Sequence, residues 1–186
     1  SKPSKMPGPA YNLPAYKCIT GAKLAKVSGS VCAGCYALKG RYRFSNVRDA
    51  LDRRLASLSH PEWVDAMVTL IGKQPYFRWH DSGDLQSAWH LKQIFEVCVR
   101  TPGTRHWLPT REVKFLKLVD PEAVPGNLTI RISSHMIDQP PVKFWPWTST
   151  VGSSGGTCPA PQNGNKCGPC RACWDRKVDN IEYHEH

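Results

Sequence analysis

The sequence has no long apolar run and few acidic residues. No stretch approaches the roughly 18–20 apolar residues that cross a bilayer, so a membrane-spanning segment is not expected. The first nine residues are polar and proline-containing, which predicts that no signal peptide is present and favours the cytoplasm of a cell. Only 15 Asp and Glu stand against 25 Lys and Arg, a formal charge of +10. This balance points to nucleic acid, another polyanion or a host protein as a partner, with a basic soluble protein as the plain alternative.

Length and composition predict one compact domain with a sizeable core. The chain has 186 residues, of which 40% are hydrophobic, so wholesale disorder is excluded. Apolar residues recur at helical spacing in three segments and form short strand-like runs in four. The helical segments are residues 45–58, 61–71 and 87–100, and the strand-like runs are residues 76–80, 105–108, 127–132 and 147–151. Ser45 and Thr110 are expected to cap helices, the second of them short and ending near Val119.

Strands that alternate with helices predict parallel βαβ units. The expected fold class is α/β, either a partial (β/α) barrel or an open parallel sheet. Its expected parts are an irregular segment over residues 1–44, an α/β core over residues 45–157 and a cysteine-rich tail over residues 158–186. The tail has few apolar residues, so we expect a metal to organise it.

Seven of the eight cysteines fall into two groups whose spacing suits metal better than disulfides. Eight residues separate Cys158 from Cys167, and two residues separate Cys167, Cys170 and Cys173 from one another. Four thiolates can bind the four irons of a [4Fe–4S] cluster or close a tetrahedral zinc site. The tight run of three resembles that of ferredoxins, so iron–sulfur is favoured and zinc is the alternative.

The other group consists of Cys18, Cys32 and Cys35. Thirteen residues separate the first two, and two separate the last two. Three thiolates on a [4Fe–4S] cluster leave one iron open to a small molecule. The alternative is a zinc site completed by a histidine or by a cysteine of the other group. Cys98 lies on the apolar side of a predicted helix and is expected to be a small buried residue.

Polar residues follow the predicted strands, where parallel α/β folds bind their ligands. The sequence therefore predicts cofactor-binding residues at this edge, with helix capping and turn formation as the alternative. These residues are His80, Asp81, Ser82, Gly83, Asp84, Arg111 and Ser133.

One stretch combines basic and aromatic residues in the way that single-stranded nucleic acid requires. Its alternative is a solvated helix face. The residues are Arg41, Tyr42, Arg43, Phe44, Arg48, Arg53 and Arg54.

Several sequence blocks resemble the phage gene-product-eighty-eight family. They include residues 4–9, 20–25, 32–37, 77–84, 107–112 and 170–175. The resemblance implies a phage origin and expression in the cytoplasm of an infected bacterium.

A looser resemblance is to phage proteins related to radical S-adenosylmethionine enzymes. It rests on Cys32–Ala37, which reads Cys-Ala-Gly-Cys-Tyr-Ala, and on the Ser82–Gly83–Asp84 run after a strand. In those enzymes three cysteines bind a cluster whose open iron chelates S-adenosylmethionine. The first two of those cysteines are separated by three residues, where this chain has thirteen. The resemblance implies S-adenosylmethionine as a cofactor, and a non-catalytic iron–sulfur or zinc protein is the alternative.

Overall fold

The computed structural model describes residues 1–185. It contains six β-strands, four α-helices and several short 3₁₀ turns among those residues. The strands are β1 (Ala10–Tyr11), β2 (Tyr76–Trp79), β3 (Arg105–Thr110), β4 (Leu128–Ser133), β5 (Thr148–Gly152) and β6 (Asn180–His184). The helices are α1 (Ile19–Leu24), α2 (Ser45–Ser57), α3 (Trp63–Ile71) and α4 (Ala88–Arg100).

All six strands form one open parallel sheet in which they pair in chain order, from β1 to β6. Of the two predicted architectures, a partial (β/α) barrel or an open parallel sheet, the open parallel sheet is confirmed. Because the strands are parallel, the loops that follow them meet at one edge of the sheet, the carboxyl edge. The sheet takes β1 and β6 from outside residues 45–157, so it extends into both cysteine-rich segments.

One face of the sheet packs against the helices. Phe77, Trp79, Leu108 and Ile130 project to this face because side chains alternate along a strand, and each is at most 4% exposed. They join the apolar sides of α3 and α4 in one core cluster. Cys98 of α4 lies in this core, as its position on the helix predicts.

The opposite face carries polar and basic side chains, and the C-terminal segment covers it. Trp174 of this segment packs edge-on against Tyr76 and Trp107, and its indole N–H donates to the Phe77 carbonyl at 2.9 Å. Burying Trp174 anchors residues 158–179 to the sheet through contacts between protein groups.

Two predicted caps are wrong. Phe44 is the N-cap of α2 and Ser45 is already helical, because the tight 3₁₀ turn over Gly40–Arg43 leads directly into the helix. Thr110 ends β3, where its hydroxyl donates to Asp84 and accepts from the Glu112 N–H, so no helix starts there. Ser87 does cap α4, accepting from the His90 N–H at 3.0 Å.

Three buried imidazoles predict that acid destabilises the fold. Burial lowers the pKa of His90 and His106 to about 4, and lowers that of His80 well below its usual value. As the pH falls through about 6.5, these histidines bind protons in the unfolded chain but stay neutral in the folded chain. The free energy of unfolding therefore decreases. Each of His90 and His106 should lower the free energy of unfolding by about 2 kcal/mol between pH 7 and pH 5. Asp84 has the opposite effect, because burial raises its pKa to about 6 and the folded chain binds a proton there first. Its protonation should offset about 1 kcal/mol of the loss in the free energy of unfolding.

Urea unfolding at pH 7 and pH 5, followed by tryptophan fluorescence under argon, measures this loss. The variant His90→Phe keeps the core filled and removes one imidazole, so its loss should be smaller by about 2 kcal/mol. An equal loss in wild type and variant would contradict the assignment.

None of the helices within residues 1–185 has the length and apolar character needed to span a bilayer.

Candidate functional site

The first cysteine group lies over the carboxyl edge of the sheet. The segment that carries these cysteines begins just after β1. It is hydrogen-bonded to the loops that follow three other strands. The Glu112 carboxylate, after β3, accepts from the Thr20 N–H at 2.7 Å and from the Thr20 hydroxyl at 2.8 Å. The Val31 N–H donates to the His135 carbonyl, after β4, at 3.0 Å. The Tyr36 hydroxyl donates to the Asp81 carbonyl, after β2.

These ties bring the Cys18 and Cys32 thiols together beside Gly21. A Cβ added to Gly21 would lie 3.6 Å from the Cys32 Sγ and 3.7 Å from the Cys18 Sγ. Burial raises the pKa of the Cys18 thiol, and Asp84, Cys35 and Cys32 raise it further. Burial also raises the pKa of Cys32, while the Arg111 guanidinium opposes that shift. The raised pKa values of Cys18 and Cys32 favour their protonated thiols, and a bound cation would stabilise the thiolates.

The Ser82–Gly83–Asp84 run is held mainly by contacts within the protein. The Ser82 hydroxyl donates to the Leu13 carbonyl at 3.0 Å, and its own carbonyl accepts from the Leu13 N–H at 2.9 Å. Gly83 has φ +80° and lies against Leu13. The Asp84 carboxylate accepts from the Thr110 hydroxyl and from the Arg111 and Leu85 N–H groups at 2.5–2.9 Å.

The other predicted cofactor-binding residues differ in access. His80 is 2% exposed, has φ +57°, and packs against His90 with neither ring nitrogen hydrogen-bonded to a described residue. Ser133 is buried, and its hydroxyl shares a 3.0 Å hydrogen bond with Ser149. Asp81 and Arg111 are half-buried at the carboxyl edge, and the Arg111 Nε donates to the Ser134 carbonyl at 3.1 Å. Asp81, Gly83 and Arg111 therefore have the best access, and their role in cofactor binding stays a prediction.

The second cysteine group lies on the face of the sheet opposite the helices. The Cys158 N–H donates to the Glu182 carbonyl at 3.0 Å, and the Cys167 N–H donates to the Lys5 carbonyl at 2.9 Å. Arg131 of β4 is fully buried and donates to the Cys173, Ala172 and Asp175 carbonyls at 2.8–3.2 Å, as well as to two carbonyls nearby. The segment is thereby attached to β4, β6 and the N-terminal strand region together.

Arg78 and Tyr183 face the thiols of the second group. The Cys173 Sγ lies 3.2 Å from the Tyr183 hydroxyl. Burial raises the pKa of Cys173 to about 11, and Tyr183, Arg131 and Arg78 oppose that shift. Burial raises the pKa of Cys167 too, and Arg78 lowers it. Arg78 also opposes the raised pKa of Tyr36, which follows Cys35, so its guanidinium acts electrostatically on residues of both groups.

All eight cysteines lie within the described residues and have free thiols. Within residues 1–185, no three His, Cys, Asp or Glu side chains converge closely enough to hold a single metal ion. Cysteine thiols can bind either a tetrahedral zinc ion or the irons of a cluster, so the donor types fit both occupants.

The sequence interpretation did not predict four residues that act beside the cysteines. They are Arg78, Arg131, Tyr183 and Glu112, which holds Thr20 in place. A signal was present for two of them. Arg78 and Arg131 alternate with apolar residues in β2 and β4, which places them on the face away from the helices. Tyr183 gave no signal because β6 itself was not predicted.

The fold and the two groups define the protein as an α/β protein with an open parallel sheet, carrying free thiols over its carboxyl edge and on its helix-free face. The sequence model of the family described as Gene product 88 matches residues 2–144, more than half of the chain, so the protein belongs to the gene product 88 family. The matched residues include the first cysteine group and end before the second. No curated protein and no solved structure matches the chain, and nothing in the comparisons supports a relation to radical S-adenosylmethionine enzymes.

Proposed function

We propose that this protein binds iron–sulfur clusters at its two cysteine groups. Cys158, Cys167, Cys170 and Cys173 supply four thiolates for one [4Fe–4S] cluster. Cys18, Cys32 and Cys35 supply three thiolates for another, and so leave one coordination position for a further ligand. The phage family supports action in the cytoplasm of an infected bacterium.

The observation that carries this proposal is the Arg78 guanidinium. Its Nε is buried without a hydrogen-bond partner, its Nη1 reaches only the weakly accepting Met6 sulfur at 3.5 Å, and the group stacks on Trp107 at 4.4 Å. Within residues 1–185, salt bridges join only Arg100 to Asp65 and Glu96, so Arg78 has no carboxylate partner there. A partly buried cation that lacks good hydrogen-bond acceptors is stabilised by a nearby negative charge. Thiolates on a cluster supply that charge beside Arg78.

Iron, zinc and acid-labile sulfide analysis after anaerobic purification tests the proposal. We expect about eight irons and eight sulfides per chain and a coloured protein, as two [4Fe–4S] clusters require. The double variant Cys167→Ala/Cys170→Ala should lose about half of the iron, and Cys32→Ala/Cys35→Ala the other half.

The matched control is Cys98→Ala, which removes a thiol from the core and should leave the iron content unchanged. Stoichiometric zinc in a colourless protein would establish the zinc alternative. A folded, metal-free protein whose seven thiols are all rapidly alkylated would refute both occupants.

A second candidate function is radical chemistry at the first group, favoured by its three thiols at the carboxyl edge. Asp81, Gly83 and Arg111 are the predicted residues with access to S-adenosylmethionine there. Cys18, Cys32 and Cys35 would hold the cluster there, and the bound cluster would pass an electron from an external reductant to S-adenosylmethionine for its reductive cleavage. The chain's contribution would be to position the cofactor and exclude water.

Incubation of the anaerobic protein with dithionite and labelled S-adenosylmethionine tests this function. Deoxyadenosine and methionine in equal amounts, absent with Cys32→Ala/Cys35→Ala and present with Cys98→Ala, would support it. An iron-loaded protein that yields neither product would leave the non-catalytic iron–sulfur function standing.

A further inference from the structure

One surface of the protein, residues 36–48, combines positive charge with exposed rings, and we call it the basic–aromatic surface. Residues 1–48 hold nine of the chain's 25 Lys and Arg and no Asp or Glu. Four of these basic residues lie in the basic–aromatic surface itself, and all four are exposed. They are Lys39, Arg41, Arg43 and Arg48.

Aromatic and apolar side chains of this surface face solvent. Tyr36 is 52% exposed, Leu38 38% and Phe44 59%. Tyr36 packs edge-on against Tyr42 at 5.9 Å, so two rings and the neighbouring basic groups form one continuous patch. These exposed rings do not contribute to the hydrophobic core. Their exposed faces are surfaces on which a nucleic-acid base can stack.

No salt bridge within residues 1–185 joins the four basic residues of the patch to a carboxylate. The Asp81 carboxylate accepts from the Asn12 side chain at 2.9 Å, and Asp52 accepts from the Tyr16 hydroxyl at 2.6 Å. Arg48 stacks over the Tyr16 ring at 5.0 Å and keeps its charge at the surface. A ligand of complementary chemistry therefore carries regularly spaced negative charge together with flat rings.

We propose that the basic–aromatic surface binds single-stranded nucleic acid, with phosphates on the arginines and bases stacked on Tyr36 and Phe44. Duplex is disfavoured because its bases are already stacked, and an acidic protein segment lacks the rings. The surface adjoins Cys35, so the bound strand passes beside the first cysteine group. This proposal does not depend on which metal the cysteines bind.

Fluorescence anisotropy with a labelled 20-nucleotide oligo-dT tests the proposal on the anaerobically purified chain. We expect saturable binding that weakens as salt rises from 50 to 200 mM, because phosphate contacts release counterions. Phe44→Ala should weaken binding about 5- to 150-fold, the range for one base–aromatic stack. Its control is Phe144→Ala, since Phe144 is comparably exposed at 51% but lies outside this surface.

Charge is tested with two matched double variants. Arg41→Ser/Arg43→Ser should weaken binding at least about tenfold and reduce the salt slope by about 1.4, or about 0.7 per phosphate contact. Lys117→Ser/Lys143→Ser removes the same charge from exposed positions elsewhere and should change neither. Equal losses in the two double variants, or no loss in Phe44→Ala, would overturn the proposal.

Competition identifies the occupant. Unlabelled single strands should displace the probe, while a 20-bp duplex and poly-glutamate should do so only at much higher concentration. Displacement by poly-glutamate at equal charge concentration would instead assign the surface to an acidic protein. Binding by Cys32→Ala/Cys35→Ala would uphold this inference even if no cluster forms at the first cysteine group.

Discussion

Replacing Arg131 with methionine is expected to lower the free energy of unfolding by about 4 kcal/mol. The Arg131 guanidinium is fully buried and donates to five backbone carbonyls, four of them in the segment that carries Cys173. Methionine fills a similar volume but donates no hydrogen bond, so buried carbonyls lose their donor. Urea unfolding of wild type and variant at pH 7, followed by tryptophan fluorescence under argon, measures the difference.

The control for this change is Arg105→Met, an exposed arginine on β3 whose loss should cost less than about 0.5 kcal/mol. Arg131→Met should also speed the alkylation of Cys173 in metal-free protein, because Arg131 holds the Cys173 carbonyl. An Arg131→Met protein as stable as Arg105→Met would show that the segment does not depend on this guanidinium.

Replacing Gly83 with alanine is expected to destabilise the fold by at least about 3 kcal/mol. A Cβ at Gly83 would lie 2.5 Å from the Leu13 Cβ and 2.7 Å from the Leu13 carbonyl oxygen. The backbone at Gly83 also has φ +80°, which alanine adopts only with strain. Relief would require the Leu13 backbone to move, and with it the chain that leads from β1 to the first cysteine group. Thermal unfolding followed by circular dichroism measures the effect.

Gly103→Ala is the matched control, because an added Cβ there meets no atom within 4 Å. It should be neutral or slightly stabilising. If both alanine variants unfold at the wild-type temperature, Gly83 does not lie as close to Leu13 as the structure places it. If Gly83→Ala stays stable but loses S-adenosylmethionine cleavage, the glycine serves the cofactor rather than the fold.

The sequence predicted the central strands and the longer helices because their apolar residues repeat with a clear period. It did not predict β1 or β6. The two residues of β1 are too few to show alternation, and β6 alternates Ile181 and Tyr183 with polar residues inside a segment dominated by cysteine and glycine spacing. Both strands are edges of the sheet, and they form because Arg78 and Val151 of the neighbouring strands offer them backbone partners.

The sequence alone determined two features. Local spacing fixes how the cysteines are grouped, and the parallel order of the strands fixes the edge of the sheet at which the polar loops meet. Only the tertiary structure decided which neighbours the thiols have. Arg78, Arg131 and Glu112 come from strands or loops far along the chain from the cysteines they serve. Their role depends on which face of the sheet each side chain occupies and on what covers that face. Packing between distant segments sets both, and no local pattern in the sequence encodes it.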